Sequence, residues 1–556
     1  MSALARYVPI LGWLPRYQRA WLVRDILAGI TITALLVPEG MAYAQLAGVS
    51  PEAAFYAAPP ALLLYAIFGS SRRLVVVVSS TQAVFSAATI GALVPQGTLE
   101  YVTLTSALAI LAGLVSILAG LARAGRFAQF FSASVLTGFV SGLALVIAIR
   151  QVPKILGIDG GDGDFFFQVW AIVTELPEMH LPTALVGITA VVGMIALERI
   201  DERIPAPLVA LIGGIVASVA LGFETLGVHV VGDLPGGLAG PRIPDVQLDD
   251  LALLLTGAAG ITLLSFAEAY GPARELAREH DERVDANQEL IGLGTANVGA
   301  GLFQGFPIGG SLSKTAAAQH AGMRTQLAGV VAAAITIVVA LFLTPLFAPL
   351  PEAIMGAIVV VAIASMFKLA ALRRLWRVGR FDFLVAAVAL IGVLVLDVLP
   401  GLLLAVVVSL ALLIWRASGA RMTRLALRGD TFVDVAEHPD AEPIEGILVL
   451  RLEQPLFFAN ADTVMTEVIE LVDGQDPPPV AVVLDLEVSG GMDVPGADVL
   501  GRLAAELERR GIELRLARLH PDVRDALDRT GALQAVAGTH RRTIDAVKTS
   551  QGGRDA

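Results

Sequence analysis

Residues 305–317 read GFPIGGSLSKTAA, and in this stretch Lys314 stands one residue after Ser313 and three after Ser311. A cation, small hydroxyl side chains and a helix start are the parts of an anion site. The free N–H groups of a helix's first turn carry about half a positive charge, and anions settle there readily. A second hydroxyl cluster, Ser79, Ser80 and Thr81 followed by Gln82 in VSSTQAVFSAA (78–88), would supply a second such end. Two helix ends and one lysine would make an anion trap of roughly +2. Two carboxylates accompany them, Glu39 in VPEGMAYAQ (37–45) and Glu268 in FAEAYGPAR (266–274), each followed by a tyrosine, Tyr43 and Tyr270. Carboxylates at membrane depth are costly and usually functional, so either is a candidate to carry a proton alongside an anion. Plainer roles stay open. Lys314 can reach a bilayer interface along its stem, the hydroxyls can cap a helix, Glu268 can be a fixed partner of Lys314, Glu39 can line a cavity rim, and the tyrosines can pack.

The segments that must position these residues are apolar. The 556 residues are 55% hydrophobic and 16% charged, with a mean hydropathy of +0.72. Soluble domains are about 25% charged, so the composition is that of a polytopic membrane protein. With no cysteine, disulfides, thiolate metal sites and cysteine nucleophiles are excluded. The N-terminal MSALARYVPILGWLPRY lacks the long apolar core and cleavage site of a signal peptide and reads as retained. Apolar runs centre near residues 33, 61, 84, 111, 140, 190, 214, 260, 295, 315, 333, 360, 389 and 407, which makes fourteen candidate spans, two of them short. The stretch DFFFQVWAIVTEL reads as an interfacial helix. Gly305, Pro307, Gly309 and Gly310 cannot sit in a regular lipid-facing helix; irregular backbone at that depth must be buried in protein or line a wet cavity. The chain is therefore expected to cross halfway in extended form and to begin a half-helix at Ser311.

Lys/Arg bias sets orientation. With the N-terminus inside, the inner connections carry Arg72 and Arg73; Arg123 and Arg126; Arg274, Arg278 and Arg283; Arg324; Lys368, Arg373, Arg374, Arg377 and Arg380; then Arg416, Arg421, Arg424 and Arg428. The opposite loops are acidic, with Glu52, Glu100, Asp159, Asp162 and Glu352 among them, and Arg150, Lys154 and Arg242 go against the trend. Two pairs of segments repeat weakly at matching offsets, Glu39 with Glu268 and Ser79 with Ser311. Seven spans per half fits inverted repeats, whose interrupted helices point to a central transport site.

From Asp430 onward there are 24 acidic and 12 basic residues, which accounts for the whole net charge of −12. There GILVLRLEQPLFFANA and VAVVLDLEV read as strands, and ADTVMTEVIELV, GADVLGRLAAELERRG and PDVRDALDRTGAL as amphipathic helices. This is a small soluble α/β domain, too acidic to favour nucleic acid. The expected domains are 1–429 in the membrane and 430–556 in the cytoplasm.

The stretch FAEAYGPARELAREHDERVDANQELIGLGTANVGAGLFQGFPIGGSLSKTAAAQHAGMRTQLAG (266–329) resembles the signature region of the SulP anion transporters, the sulfate permeases and relatives of prestin. VPEGMAYAQLAGVSP (37–51) resembles the family's first-helix motif, and ILVLRLEQPLFFANADTV with VVLDLEVSGGMDVPGADVL its C-terminal STAS domain. The resemblance implies an α-helical membrane protein of fourteen spans in two inverted seven-helix repeats. A core of spans 1–4 and 8–11 would move against a gate of spans 5–7 and 12–14, with the anion between the half-helices of spans 3 and 10. It implies transport of sulfate, bicarbonate, chloride or dicarboxylates, and dimers.

Carried over by position, the anion-binding set is Glu39, Tyr43, Ser80, Thr81, Gln82, Ser311, Leu312, Ser313 and Lys314, with Glu268 and Glu39 as proton-coupling groups. Lys314 stands where the family has arginine, keeping the charge without bidentate geometry. Glu39 stands for a frequent glutamine, which favours proton coupling. Thr81 and Gln82 replace a proline–aromatic pair. Pro272 stands where sodium-coupled relatives have threonine, which counts against a sodium site. Asp493-Val494-Pro495-Gly496 offers no hydroxyl at the position phosphorylated in bacterial STAS proteins.

The expected activity is proton-coupled secondary anion transport by elevator-like alternating access in the inner cell membrane, with the N-terminus and STAS domain cytoplasmic. A small anion, a proton, the bilayer and a second copy of the chain are the expected partners, and no cofactor is expected. An exchanger, a chloride channel or motor, and a STAS-linked anion sensor are the alternatives. No P-loop or nucleophile–base constellation is present, which disfavours ATP-driven transport and enzymatic activity.

Overall fold

Inside a bilayer an apolar run must satisfy its backbone groups within itself, which leaves helices for a chain patterned like this one. The computed structural model describes residues 7–126, 133–161, 163–201, 204–364, 366–396, 398–429 and 431–552. Of the residues named above, Asp162 and Asp430 lie outside the described residues, as do the side chain of Arg416 and the first six residues of the N-terminal stretch. Two compact units are present, Met1–Ser409 and Leu410–Ala556.

The membrane unit contains α1 (Leu22–Leu46), α2 (Ala53–Phe68), the strand β1 (Val76–Val77), α3 (Ser80–Gly91), α4 (Leu99–Leu121), α5 (Ala133–Leu156), α6 (Leu181–Ile200) and α7 (Ala206–Leu221). It continues with α8 (Leu251–Glu279), α9 (Ala286–Leu302), the strand β2 (Gly309–Gly310), α10 (Leu312–His320), α11 (Leu327–Val338), α12 (Glu352–Ala364) and α13 (Arg380–Leu396), and α14 (Val398–Ser418) begins in it and runs past Ser409. These helices fall at the fourteen expected centres. Seven helical segments among the described residues, those built on α1, α4, α5, α6, α8, α11 and α12, are long and apolar enough to cross a bilayer. Phe165–Glu175 forms the separate short helix expected at the interface.

Helices α4 and α9 cross at near backbone contact. A Cβ on Gly113 would lie 2.5 Å from the Gly294 carbonyl oxygen, and one on Gly120 2.6 Å from that of Asn287; small residues allow such packing where lipid supplies no hydrophobic drive. Buried charges lock the ends of helices. Asp25 accepts from the Arg324 N–H at 2.7 Å and from Thr325 Oγ1 at 2.7 Å, and Glu289 accepts from Tyr65 OH at 2.6 Å.

The C-terminal unit is a six-stranded sheet of order β4-β3-β5-β6-β7-β8, made of β3 (Met422–Arg428), β4 (Thr431–Asp434), β5 (Ile447–Leu452), β6 (Ala481–Asp485), β7 (Glu513–Ala517) and β8 (Gly538–His540). β5 through β8 are parallel, whereas β3 runs antiparallel to β4 and β5. Helices α15 (Ala461–Asp473), α16 (Val494–Arg509), α17 (Pro521–Thr530) and α18 (Thr543–Gly552) accompany the sheet. One apolar core runs through β5–β7 and α15–α17. Asp493 spends its carboxylate as the N-cap of α16, accepting from the Gly496 N–H at 2.9 Å, and also accepts from the Phe458 N–H at 2.9 Å.

At the end of β6, Asp485 is fully buried and accepts from Arg518 Nε at 3.0 Å and from Thr543 Oγ1 at 2.9 Å. Asp485→Ala is expected to destabilise this unit by about 2 kcal/mol, less than the cost of stranding a fully buried charge because Arg518 also pairs with Glu487. Faster amide exchange confined to β6, β7 and α18 is the readout; unchanged exchange would contradict it.

Candidate anion site

The glycine- and proline-bearing stretch before α10 is extended, as expected, and its edge is not left bare. β1 and β2 pair antiparallel, Val76 with Gly310 and Val77 with Gly309. The Ser311 N–H donates to the Val75 carbonyl at 2.9 Å, and the Val75 N–H to Thr315 Oγ1 at 3.0 Å. Backbone polarity at this depth is thereby satisfied within protein. From opposite ends of this ladder the chain turns into α3 and α10. Their N-cap residues are Ser79 and Ser311, both with extended backbone and neither capping with its side chain. The two serines matched in sequence thus occupy the same structural position. The half-helices have 12 and 9 residues, or roughly 18 and 14 Å at 1.5 Å per residue, so each covers only part of a bilayer.

Lys314 is fully buried, which excludes the interfacial placement. Its Nζ forms an ion pair with Glu39 Oε2. Tyr43 OH donates to the same oxygen at 3.2 Å, and Nζ lies 5.2 Å from the centre of the Tyr43 ring, within cation–π range. α1 therefore offers Lys314 a carboxylate and an aromatic face one turn apart. Lys314's partner is Glu39, not Glu268.

Glu268 heads a second cluster. Its Oε1 accepts from Thr81 Oγ1 at 2.9 Å and its Oε2 from Gln82 Nε2 at 3.4 Å. Gln82 Nε2 also donates to Ser265 Oγ at 3.1 Å, and its buried Oε1 has no hydrogen-bond partner. Ser80 Oγ donates to Met366 Sδ at 3.2 Å. Ser311 Oγ lies 3.4 Å from Ser313 Oγ. Ser80, Thr81, Gln82 and Ser311 are buried, while the side chains of Leu312 and Ser313 are exposed. Tyr270 stacks on Phe266 at 5.1 Å, a packing role.

The sequence did not single out Ser265 or Asn297. Asn297 brackets the Ile308 peptide, donating to its carbonyl and accepting from its N–H, both at 3.0 Å. A buried asparagine facing a stretch that cannot be helical was the available signal. Among the described residues no group of three or more His, Cys, Asp or Glu could hold a metal.

The electrostatics differ from expectation in one respect. With Glu39 ionised against Lys314, the lysine charge is spent within the protein. What stays free is the pair of helix ends, opposed by Glu268. The roughly +2 expected from helix ends and lysine becomes available only when Glu39 and Glu268 are neutral.

Packing around the site is tight. A Cβ on Gly309 would lie 2.7 Å from Gln82 Cδ, so Gly309→Val must push the Gln82 amide off Ser265 and Glu268. Loss of a buried amide's partners costs about 1–3 kcal/mol. The expected result is a slightly lower melting temperature with a large loss of anion uptake; full uptake would mean that Gln82 is not part of the site.

The sulfate permease family profile matches residues 22–389 and the STAS domain profile residues 438–548. The probable sulfate transporter Rv1739c of Mycobacterium tuberculosis is 35% identical over 538 residues, covering 95% of this chain and 96% of the relative. Human solute carrier family 26 member 6 is 30% identical over 489 residues, covering 83% of this chain and 64% of the relative. Among solved structures, the murine Slc26a9 anion transporter in the inward-facing state superposes with a TM-score of 0.92 at 23% identity, covering 99% of this chain and 95% of that one. The transmembrane domain of the cyanobacterial bicarbonate transporter BicA gives 0.63 at 25% identity, covering 70% and 98%. Broken spans meeting at a buried lysine, in a chain closed by a six-stranded α/β unit, agree with these matches: the chain belongs to the sulfate permease family of anion transporters and ends in a STAS domain.

Proposed function

We propose that the chain is a secondary active transporter that moves an oxyanion, with sulfate the first candidate, together with protons. The observation that carries this reading is the buried Lys314–Glu39 pair beside two uncapped helix starts. An anion competes with Glu39 for Lys314. Protonation of Glu39 releases the lysine, and an oxyanion then takes the ammonium together with the first-turn amides of α3 and α10. Protonation of Glu268 removes the remaining negative charge beside Thr81 and Gln82. Anion and protons thus favour each other's binding, the thermodynamic requirement for symport. Relatives named as sulfate transporters support sulfate as the first candidate.

Alternating access would move spans 1–4 and 8–11, which hold the site, against spans 5–7 and 12–14. The Lys/Arg bias supports an inner-membrane protein with the N-terminus and STAS domain on the cytoplasmic side, and the proposed working assembly is a homodimer. At the outer mouth, Lys154 Nζ on α5 donates to Gln45 Oε1 at the end of α1 at 3.1 Å, a contact between the two proposed moving parts. Because the chain has no cysteine, a single introduced one reports cleanly. In a Ser313→Cys background, Lys154→Met is expected to raise labelling by a membrane-impermeant maleimide from the outer side several-fold; unchanged labelling would mean that this contact does not hold the outer side shut.

Uptake of labelled sulfate by proteoliposomes under an imposed pH gradient tests the function. Accumulation above the outside concentration, driven by outside acid and abolished by a protonophore, is expected. Anion currents far above carrier turnover would refute the transporter reading.

A further inference from the structure

The connection between α12 and α13 is more than a loop. Residues Leu369–Val378, LAALRRLWRV, form a ten-residue helix. At 100° per residue Arg373, Arg374 and Arg377 fall on one arc, and Leu369, Leu372, Leu375, Trp376 and Val378 on the other. The protein covers only part of the apolar arc. Leu372 is buried and the Trp376 ring meets Phe383 of α13 edge-on at 4.8 Å, whereas Trp376 is 60% and Val378 81% exposed. On the basic arc Arg373, Arg374 and Arg377, with Ala370 and Val378, line a cleft of about 370 Å³. None of the three guanidinium groups has an ion-pair or hydrogen-bond partner among the described residues.

Three unpaired arginines around a concavity make a phosphate receptor, since a guanidinium fork matches phosphate oxygens. The half-exposed apolar arc, with a tryptophan at its edge and a span on either side, is the pattern of a helix lying in the membrane interface. We propose that this helix is a binding site for an anionic phospholipid, its phosphate held by Arg373, Arg374 and Arg377 and its acyl chains laid against Leu369, Trp376 and Val378. The helix is tied to the anion site. Just ahead of it, Met366 Sδ accepts the Ser80 hydroxyl at the start of α3, and the Lys368 N–H donates to Ser141 Oγ on α5 at 3.4 Å. A lipid that fixes this helix therefore fixes a connection running from the proposed gate to the half-helix.

The test is native mass spectrometry of the full chain in detergent, titrated with phosphatidylglycerol, phosphatidylcholine or inorganic phosphate. The wild type is expected to retain phosphatidylglycerol preferentially. Each of Arg374→Gln and Arg377→Gln should weaken retention about fivefold, and the triple Arg373→Gln/Arg374→Gln/Arg377→Gln variant roughly a hundredfold, at about 1 kcal/mol per arginine. A control variant, Arg509→Gln/Arg529→Gln/Arg541→Gln on the STAS unit, should bind like the wild type. The singles keep the test decisive should the triple variant fold poorly. Equal retention by wild type and singles overturns the site. Displacement of the lipid by phosphate alone at the same concentration overturns the lipid as its ligand, because the cleft would then hold a free anion.

Discussion

Lys314→Met is expected to abolish saturable oxyanion uptake, and the reason separates chemistry from scaffolding. Lys314 is the cation in the first turn of α10, and a charge-assisted contact to a bound anion is worth about 2–3 kcal/mol, roughly 30- to 150-fold in affinity. The single variant also strands the buried Glu39 carboxylate, which costs about 3–5 kcal/mol of stability. Loss of activity alone would therefore not distinguish the roles. The double variant Glu39→Gln/Lys314→Met removes both charges. Its melting temperature should return to within a few degrees of the wild type while anion binding and uptake stay absent. Lys314→Arg should keep a substantial part of both. Recovery of uptake in the double variant would make the lysine structural and the proposed site wrong. Glu39→Gln alone leaves Lys314 permanently free, so anion binding should become tighter and lose the part of its pH dependence that Glu39 supplies, leaving that of Glu268; a pH dependence equal to the wild type would take Glu39 out of the coupling step.

Glu268→Gln has the second large effect. Glutamine fills the same space and keeps an acceptor for Thr81, so the fold should be undisturbed. A carboxylate binds a proton on the acid side and releases it on the other, whereas an amide does neither. Wild-type uptake is expected to rise as outside pH falls below inside pH. In Glu268→Gln the accumulation driven by that gradient should fall well below the wild type, with Glu39 the remaining proton carrier, while exchange of labelled for unlabelled anion at equal pH continues. Accumulation equal to the wild type would exclude Glu268 as a proton carrier, and loss of exchange as well would make it part of the anion site instead.

The broken spans were legible in the sequence because backbone chemistry leaves few choices. Pro307, Gly309 and Gly310 forbid an uninterrupted helix, and hydroxyl residues after an extended stretch mark a helix start. Ser79 and Ser311 accordingly prove to be the N-caps of α3 and α10. Helix centres followed from apolar runs for the same reason. Pairing across the molecule was not legible. Periodicity gives each helix a face without saying which helix it meets, so the choice of Glu39 over Glu268 as Lys314's partner, and the grip of Asn297 on Ile308, needed tertiary structure. In the STAS unit, β5 and β6 stand out by their apolar runs ILVL and AVVL. β7, ELRLA, alternates charged and apolar residues over five positions, β3 mixes arginines into its run, and β8 has three residues. Such segments are fixed by the neighbours they pair with more than by their own pattern.

The central claim is that an oxyanion sits between the starts of α3 and α10, against Lys314. Selenate, an isostere of sulfate whose selenium scatters anomalously, tests it in one diffraction experiment at a pH low enough to protonate Glu39. A selenium peak that lets the selenate oxygens accept hydrogen bonds from Lys314 Nζ and from the first-turn amides at Thr81 and Ser313 is the predicted result. A peak elsewhere in the membrane unit, with the Lys314–Glu39 pair unbroken, would contradict the account.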